Sequence, residues 1–424
     1  MNLPGYILPS LPQSAFADLH RRAFFDCCKW DPQVEDVSIL APFPVILKQT
    51  AWREISRLAE QLADEILRAE SELLTKPHLL KRLGFPRPVR KALLQSGNMD
   101  SREAFRVMRF DFHFTMDGWR ISEANTDVPG GFNEASGYAS LIQSCYKSYA
   151  SPGDPADSLV SAIQHHTPPG GIVALAHATA YTDDRQVMVF LARLLSKRGL
   201  RPLLISPDLL RWTNGMAFLN TEWSQEPVDF IFRFFPGEWL PNLARACGSH
   251  HFFSGNRTLL ANSAVSLLTQ SKRFPLVWDD LDTPLPTWRQ YLPETRDPRH
   301  APWNHDEDWI LKPVLGRVGD MIGIRDVTEP RQWRAIRRNA RWFPNAWIAQ
   351  RRFQSCPFRS DQGDFYPCFG VYTLNNRATG IYGRLARTPL VNHLACDAAV
   401  LIENLSSSPT LSIPQSPCLV QSRT

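Results

Sequence analysis

From residue 50 the chain turns amphipathic. Ile55, Leu58, Leu62, Ile66, Ala69 and Leu73 recur at steps of three and four, the spacing of one helical face. The other face carries Arg53, Glu54, Glu60, Asp64 and Glu65, and helical pattern is expected to continue to about residue 96. Residues 1–49 show no such period and read as irregular. In 106–115 the period changes to two: Met108, Phe110, Phe112 and Phe114 alternate with Arg109, Asp111 and His113. That alternation predicts a strand with one apolar and one polar face. Buried strands are expected at 172–178, 201–206 and 228–235, with a helix over 184–198. This β-α-β rhythm predicts an α/β unit with a parallel sheet. Helical pattern resumes near 261–268. A strand at 309–313 runs into the glycine loop Gly316-Arg317-Val318-Gly319, and further strands are expected at 346–350 and 369–374. Pro- and Gly-rich residues 151–171 read as a boundary, and the Ser/Pro-rich residues 406–424 as a flexible tail.

The polar face of the 106–115 strand draws attention together with Glu123-Ala-Asn125-Thr-Asp127. Within a strand, residues two apart share a face. A two-residue loop at Asp117-Gly118 would send the carboxylates of the two strands to opposite sides. A three-residue loop, Met116-Asp117-Gly118, pairs Asp111 with Glu123 and Arg109 with Asn125, and Gly118 suits the left-handed position such loops need. One face then carries Arg109, Asp111, Glu123, Asn125 and His113, and the other sets large apolar groups over Ser122 and Ala124. Two carboxylates and an amide suit Mg²⁺, and Arg109 suits a phosphate oxygen. The bland alternative is an exposed hairpin face of mixed charge. The loop after Lys312 could bring backbone N–H groups to phosphate, but it is not a Walker A loop, and a ligand-free turn fits as well. Lys272 and Arg384, taken alone, read as surface residues.

Composition narrows the field. The chain has 424 residues, enough for two to three domains at roughly 100–200 residues each. Apolar residues make up 43% and charged residues 21%, and the net charge is +5. Overall disorder, collagen and coiled coil are excluded as descriptions. The basic excess is too thin to argue for nucleic acid and suits anionic small ligands. No run of apolar residues is long enough for a transmembrane helix, and no signal peptide is visible. The eight cysteines form no C-x-x-C, which predicts free thiols in a reducing, cytoplasmic setting.

Taken in order, these pieces resemble the glutathionylspermidine synthetase-like family of ATP-grasp ligases. The likeness runs through Arg109-Phe-Asp111, Glu123-Ala-Asn125-Thr-Asp127-Val-Pro129, Thr182-Asp183-Asp184-Arg185 and Phe235-Pro236-Gly237-Glu238-Trp239. It continues at Lys272, Trp309-Ile-Leu-Lys312-Pro313, Ile348-Ala-Gln350 and Gly380-Ile-Tyr-Gly-Arg384, spanning about residues 105–405.

The resemblance implies an ATP-grasp fold of α/β (α+β) class. It implies a helical N-terminal region with the metal-binding hairpin over 1–150, a pre-ATP-grasp-like α/β domain over 151–256 and a nucleotide-binding region over 257–405. It implies a ligase that uses ATP and Mg²⁺ to join a small acid or peptide to an amine. Asp111, Glu123 and Asn125 match the family's metal ligands, and Arg109 and Arg384 its catalytic arginines. Lys272, Lys312, Gly316, Gly319 and Gln350 match nucleotide-binding positions. No nucleic-acid or membrane partner is expected, and the oligomeric state is left open, a homodimer being the candidate. The family's usual Asn before the first lysine is Ser271 here, its R-E-G loop reads Arg317-Val318-Gly319, and Leu385 follows the late arginine where an acid is common. The roughly 100 residues before Arg109 are too few for the amidase domain of bifunctional members.

Overall fold

A computed structural model describes residues 3–34, 37–96, 105–220, 225–316, 321–392 and 394–404. The long helix Gln49–Thr75 buries Ile55, Leu58, Leu62, Ile66, Ala69 and Leu73, as its periodicity predicts. Glu65, expected on the solvent face, is buried instead. It accepts the Thr287 and Trp288 backbone N–H groups at 3.0 and 3.1 Å, a partnership across more than 200 residues that no local pattern encodes. Glu70 is also buried and pairs with Arg106 just before the first strand of the hairpin. The N-terminal region is not irregular throughout, because Gln13–Phe25 is a helix. Only Leu19 and Ala23 of it are buried, too narrow a stripe to show as a period. The segment near 261–268 differs from expectation only at its start: Leu259–Ala261 is a strand, and a 3₁₀ turn over Ala264–Ser266 then runs into the helix Leu267–Gln270.

Three sheets organise what matters for the site. The predicted parallel sheet is present, with strand order Leu259–Ala261, Phe230–Arg233, Ile172–Ala176, Arg201–Ile205. The largest sheet is antiparallel and joins distant parts of the chain. Its hairpin strands Val107–Thr115 and Gly118–Asn125 lie beside Gly363–Leu374, Arg377–Ala386 and Cys396–Ala398. A small sheet sets Trp309–Pro313 and Thr295–Arg296 on either side of Trp347–Arg351. Met108, Phe110, Phe112, Val371, Ile381 and Leu385 form one face of the large sheet, within the same core as the long helix.

Asp127 ties the parallel sheet to the hairpin. Its carboxylate accepts from Arg233 Nη2 at 2.5 Å, the Gly237 N–H at 2.9 Å and Ser266 Oγ at 2.9 Å. Both Asp127 and Arg233 are fully buried. No helix among the described residues is long and apolar enough to cross a membrane. The expected tail and Gly319 lie outside the described residues.

Candidate functional site

The hairpin reaches the expected pairing by a different route. The turn is the two-residue Met116-Asp117, with Thr115 opposite Gly118, so the three-residue loop is corrected. A bulge between Asp111 and Phe112 then takes up one extra residue, Ser122, and restores Asp111 opposite Glu123 and Arg109 opposite Asn125. A bulge re-aims the residue it inserts. Ser122 therefore does not lie under the apolar face: its hydroxyl is 3.1 Å from His113 Nε2, and its carbonyl accepts from Lys312 Nζ at 3.0 Å. Trp119, Ile121 and Ala124 take the apolar side.

Register carries the polar face across the sheet. Tyr382, Gly370, Asp111 and Glu123 stand in one row, and Tyr372, Arg109 and Asn125 in the next. Arg384 lies on this face between Cys368 and Asp397. The Arg109 guanidinium grips Asp111 with two bonds of 2.8 and 3.0 Å and donates to the Gly130 carbonyl at 2.7 Å. It also lies 5.2 Å from the centre of the Tyr382 ring. Gly370 leaves the room this fork needs, since a Cβ there would sit 2.7 Å from Arg109 Cδ and 3.0 Å from Asp111 Oδ1.

Facing this surface are two lysines from separate segments, 40 residues apart. Lys272 Nζ is 3.1 Å from Glu123 Oε2 and donates to the Gly316 carbonyl at 2.8 Å. Lys312 Nζ donates to Gln350 Oε1 at 2.8 Å, and Gln350 is fixed in turn by donating to Thr295 Oγ1 at 2.9 Å. Both lysines and Gln350 line a narrow cleft that Phe274, Trp288 and Ile348 also line.

Electrostatics within the cleft are strained. Burial raises the Glu123 carboxyl, but Lys272 and Lys312 outweigh it and bring it to about 2. Burial pushes Lys312 down to about 8, with Glu123 pulling back and Lys272 adding to the fall. Burial, joined by the Lys312 charge, drives His113 down to about 3, so this imidazole is neutral at working pH.

The structure thus brings Arg109, Asp111, Glu123, Asn125, Lys272, Lys312, Gly316 and Gln350 to one place. Gly316 differs in kind from expectation: it turns its carbonyl to Lys272, while its N–H points back to Pro313. Arg384 is on the same face, yet its Nη2 donates to the Asn392 carbonyl, and its buried Nε has no partner. Among the described residues, no three His, Cys, Asp or Glu side chains are arranged to hold a metal. Asn125 donates to Asp111 at 3.2 Å. The residues on this face that could hold a divalent cation are the two carboxylates with the Asn125 amide. Sequence reasoning passed over Tyr382, Gly370, Ser122 and Gln270, whose Oε1 accepts from Thr126 N and Asp127 N at 2.8 and 3.0 Å. The bulge residue carries no sequence mark, but Tyr382 sits two positions before Arg384 and could have been placed by strand parity.

A family model described as glutathionylspermidine synthase pre-ATP-grasp matches residues 44–402. The solved apo structure of a glutathione synthetase-like effector from Globodera pallida is similar, with a TM-score of 0.61 at 11% identity. That match covers 92% of this chain and 98% of the other. At that identity it shows the fold. A candidate gamma-glutamylcysteine synthetase from Methylobacillus flagellatus KT matches at 14% identity with a TM-score of 0.39, over 78% of this chain and 85% of its own. No curated protein matches the sequence.

Proposed function

The chain belongs to the glutathionylspermidine synthase pre-ATP-grasp family, and from that membership we propose that it is an ATP- and Mg²⁺-dependent ligase that joins a carboxylate to an amine. The family points to ligase or synthetase chemistry related to ATP-grasp enzymes, and the Globodera pallida structure shares the fold. The observation that carries the specific reading is the convergence of Lys272 and Lys312 on the face holding Arg109, Asp111 and Glu123.

A carboxylate is a poor electrophile because its leaving group is oxide. Phosphorylation by ATP gives an acyl phosphate, which an amine attacks with loss of inorganic phosphate. The protein's share is positioning and charge neutralisation. In this reading Lys272 and Lys312 hold nucleotide phosphates. Arg109, a planar fork, would hold two oxygens of the transferring group. Asp111, Glu123 and Asn125 would hold Mg²⁺, which would supply further charge neutralisation when bound. The cations now on Asp111 and Glu123 would be shared with those phosphates.

Two departures from the family pattern are absorbed by packing. Leu385 is 1% exposed and faces the core side of the sheet, opposite the Arg109–Asp111 face. Ser271 is buried and donates to the Leu83 carbonyl at 2.7 Å. The reading is tested by incubating the chain with ATP, Mg²⁺, pooled acids and hydroxylamine. Release of ADP with acid-dependent hydroxamate supports it. ATP binding with no turnover over all acids and amines tried would instead mark a non-catalytic nucleotide-binding protein.

A further inference from the structure

Beside the phosphate face lies a second cluster, built around Lys29. This residue follows the first helix and precedes the family-matched residues, which begin at 44. Lys29 is 4% exposed. Its Nζ lies 2.6 Å from Glu134 Oε1, 3.1 Å from Asp31 Oδ1 and 3.2 Å from Asp397 Oδ2. The three carboxylates come from three separate segments. An alkylammonium has three N–H donors and no acceptor; here it faces three carboxylates as ion pairs, and Asp31 Oδ1 itself has no hydrogen-bond partner.

Two observations set this apart from an ordinary buried ion pair. Glu134 is 7% exposed, and its second oxygen, Oε2, has no hydrogen-bond partner. One cation therefore serves three anions and leaves buried accepting capacity unused. The cluster is also wired to the candidate active site. Tyr382 donates to Asp397 Oδ1 at 2.5 Å, and the same Tyr382 ring lies beneath the Arg109 guanidinium. The cleft lined by Lys272 and Lys312 lies on the hairpin side of Arg109, and the cluster lies on the side of the sheet's edge strand, Cys396–Ala398.

We propose that this cluster is a primary-ammonium pocket adjoining the phosphate face, and that Lys29 is its tethered occupant, closing it to free amines. The pocket stands on its own geometry. Its meaning for specificity rests on the ligase reading: the native chain would not take its amine substrate as a cation held at Asp397.

The test is chemical rescue of Lys29→Ala in the full chain. Melting temperature is read with added ethylammonium, n-butylammonium or 1,4-diaminobutane, against tetramethylammonium and sodium chloride at matched ionic strength. Lys29→Ala is expected to melt lower than the native chain. Primary ammonium ions should restore more than half of the loss and saturate, tetramethylammonium should not, and the native chain should not respond. If Lys29→Ala does not fold alone, refolding with and without ethylammonium gives the same decision, recovery only with the amine being the expected result. A variant unresponsive to every primary amine, or a native chain that responds as strongly, overturns the proposal. No readout involves ATP, so failure here and failure of the ligase reading are separate results.

Discussion

Asp111 and Glu123 face each other across the hairpin, yet each carboxylate has its own cation, Arg109 for the first and Lys272 for the second. Like charges directly opposed in a sheet repel. Here the repulsion is relieved by one group from the same strand and one from a segment about 150 residues away. The paired carboxylates are therefore charge-balanced by cations that reach them from two different parts of the chain.

Arg109→Lys is expected to lower kcat for ATP-dependent turnover by about 10²-fold or more, the scale of losing a preorganised donor, while changing the KM for ATP less. A lysine cannot supply two coplanar bonds. Steady-state kinetics and thermal melting on one preparation decide the matter. Unchanged kcat with reduced stability would mean that Arg109 only holds the hairpin.

Lys312 carries a pH prediction. Its ammonium is held down at about 8 against an ordinary 10.5, so the free protein loses this charge as pH rises through 8. ATP affinity should fall over that rise, and Lys312→Met should remove the dependence. Loss of a charge-assisted bond of about 1.5–3 kcal/mol corresponds to roughly 10- to 100-fold in Kd. Titration with a fluorescent nucleotide at several pH values checks it. Stability has the opposite sign, because the unfolded chain binds the extra proton between 8 and 10.5 and stability therefore rises with pH there.

His113 titrates in the acid range. Its folded value of about 3 lies below the ordinary 6.5, so the unfolded chain binds the proton first and stability falls as pH drops from 6.5 towards 3. Glu123, at about 2 against 4.5, adds its own loss only below 4.5. His113→Gln should therefore reduce the slope of the melting temperature between pH 6.5 and 4.5, with His177 and His251, also held below 6.5 by burial, supplying the remainder, and leave the lower fall in place. A variant curve parallel to the native one in the upper window would show that His113 does not set it.

Asp127 is expected to act on stability first. Asp127→Ala strands the buried Arg233 guanidinium, and breaking such a pair costs about 3–5 kcal/mol. Urea unfolding should show the loss. A variant as stable as the native chain would contradict the ties to Arg233, Gly237 and Ser266.

The periodic elements were legible because burial on one face writes itself into spacing. The long helix, the Phe-rich strand and the parallel strands all follow that logic. The Asp111–Glu123 pairing was legible too, but through an incorrect turn, because period two cannot show where an extra residue enters. Lys272 and Lys29 were mute as isolated lysines. Their meaning comes from carboxylates far away in sequence, Glu123 for one and Glu134 with Asp397 for the other. Glu65 misled for the same reason, since its partners lie at the start of another helix.

Gly370 has no chemistry of its own, yet it sits under the arginine–aspartate fork where any side chain would collide with it. That makes it a gauge for reading other chains of this fold. A sequence can keep both Arg and Asp at the matching hairpin positions and still be unable to form the fork, if a larger residue stands at the position matching 370. The residue that reports whether the machinery is intact is then the one with nothing to contribute to the reaction, on a strand about 260 residues downstream of the pair it reports on.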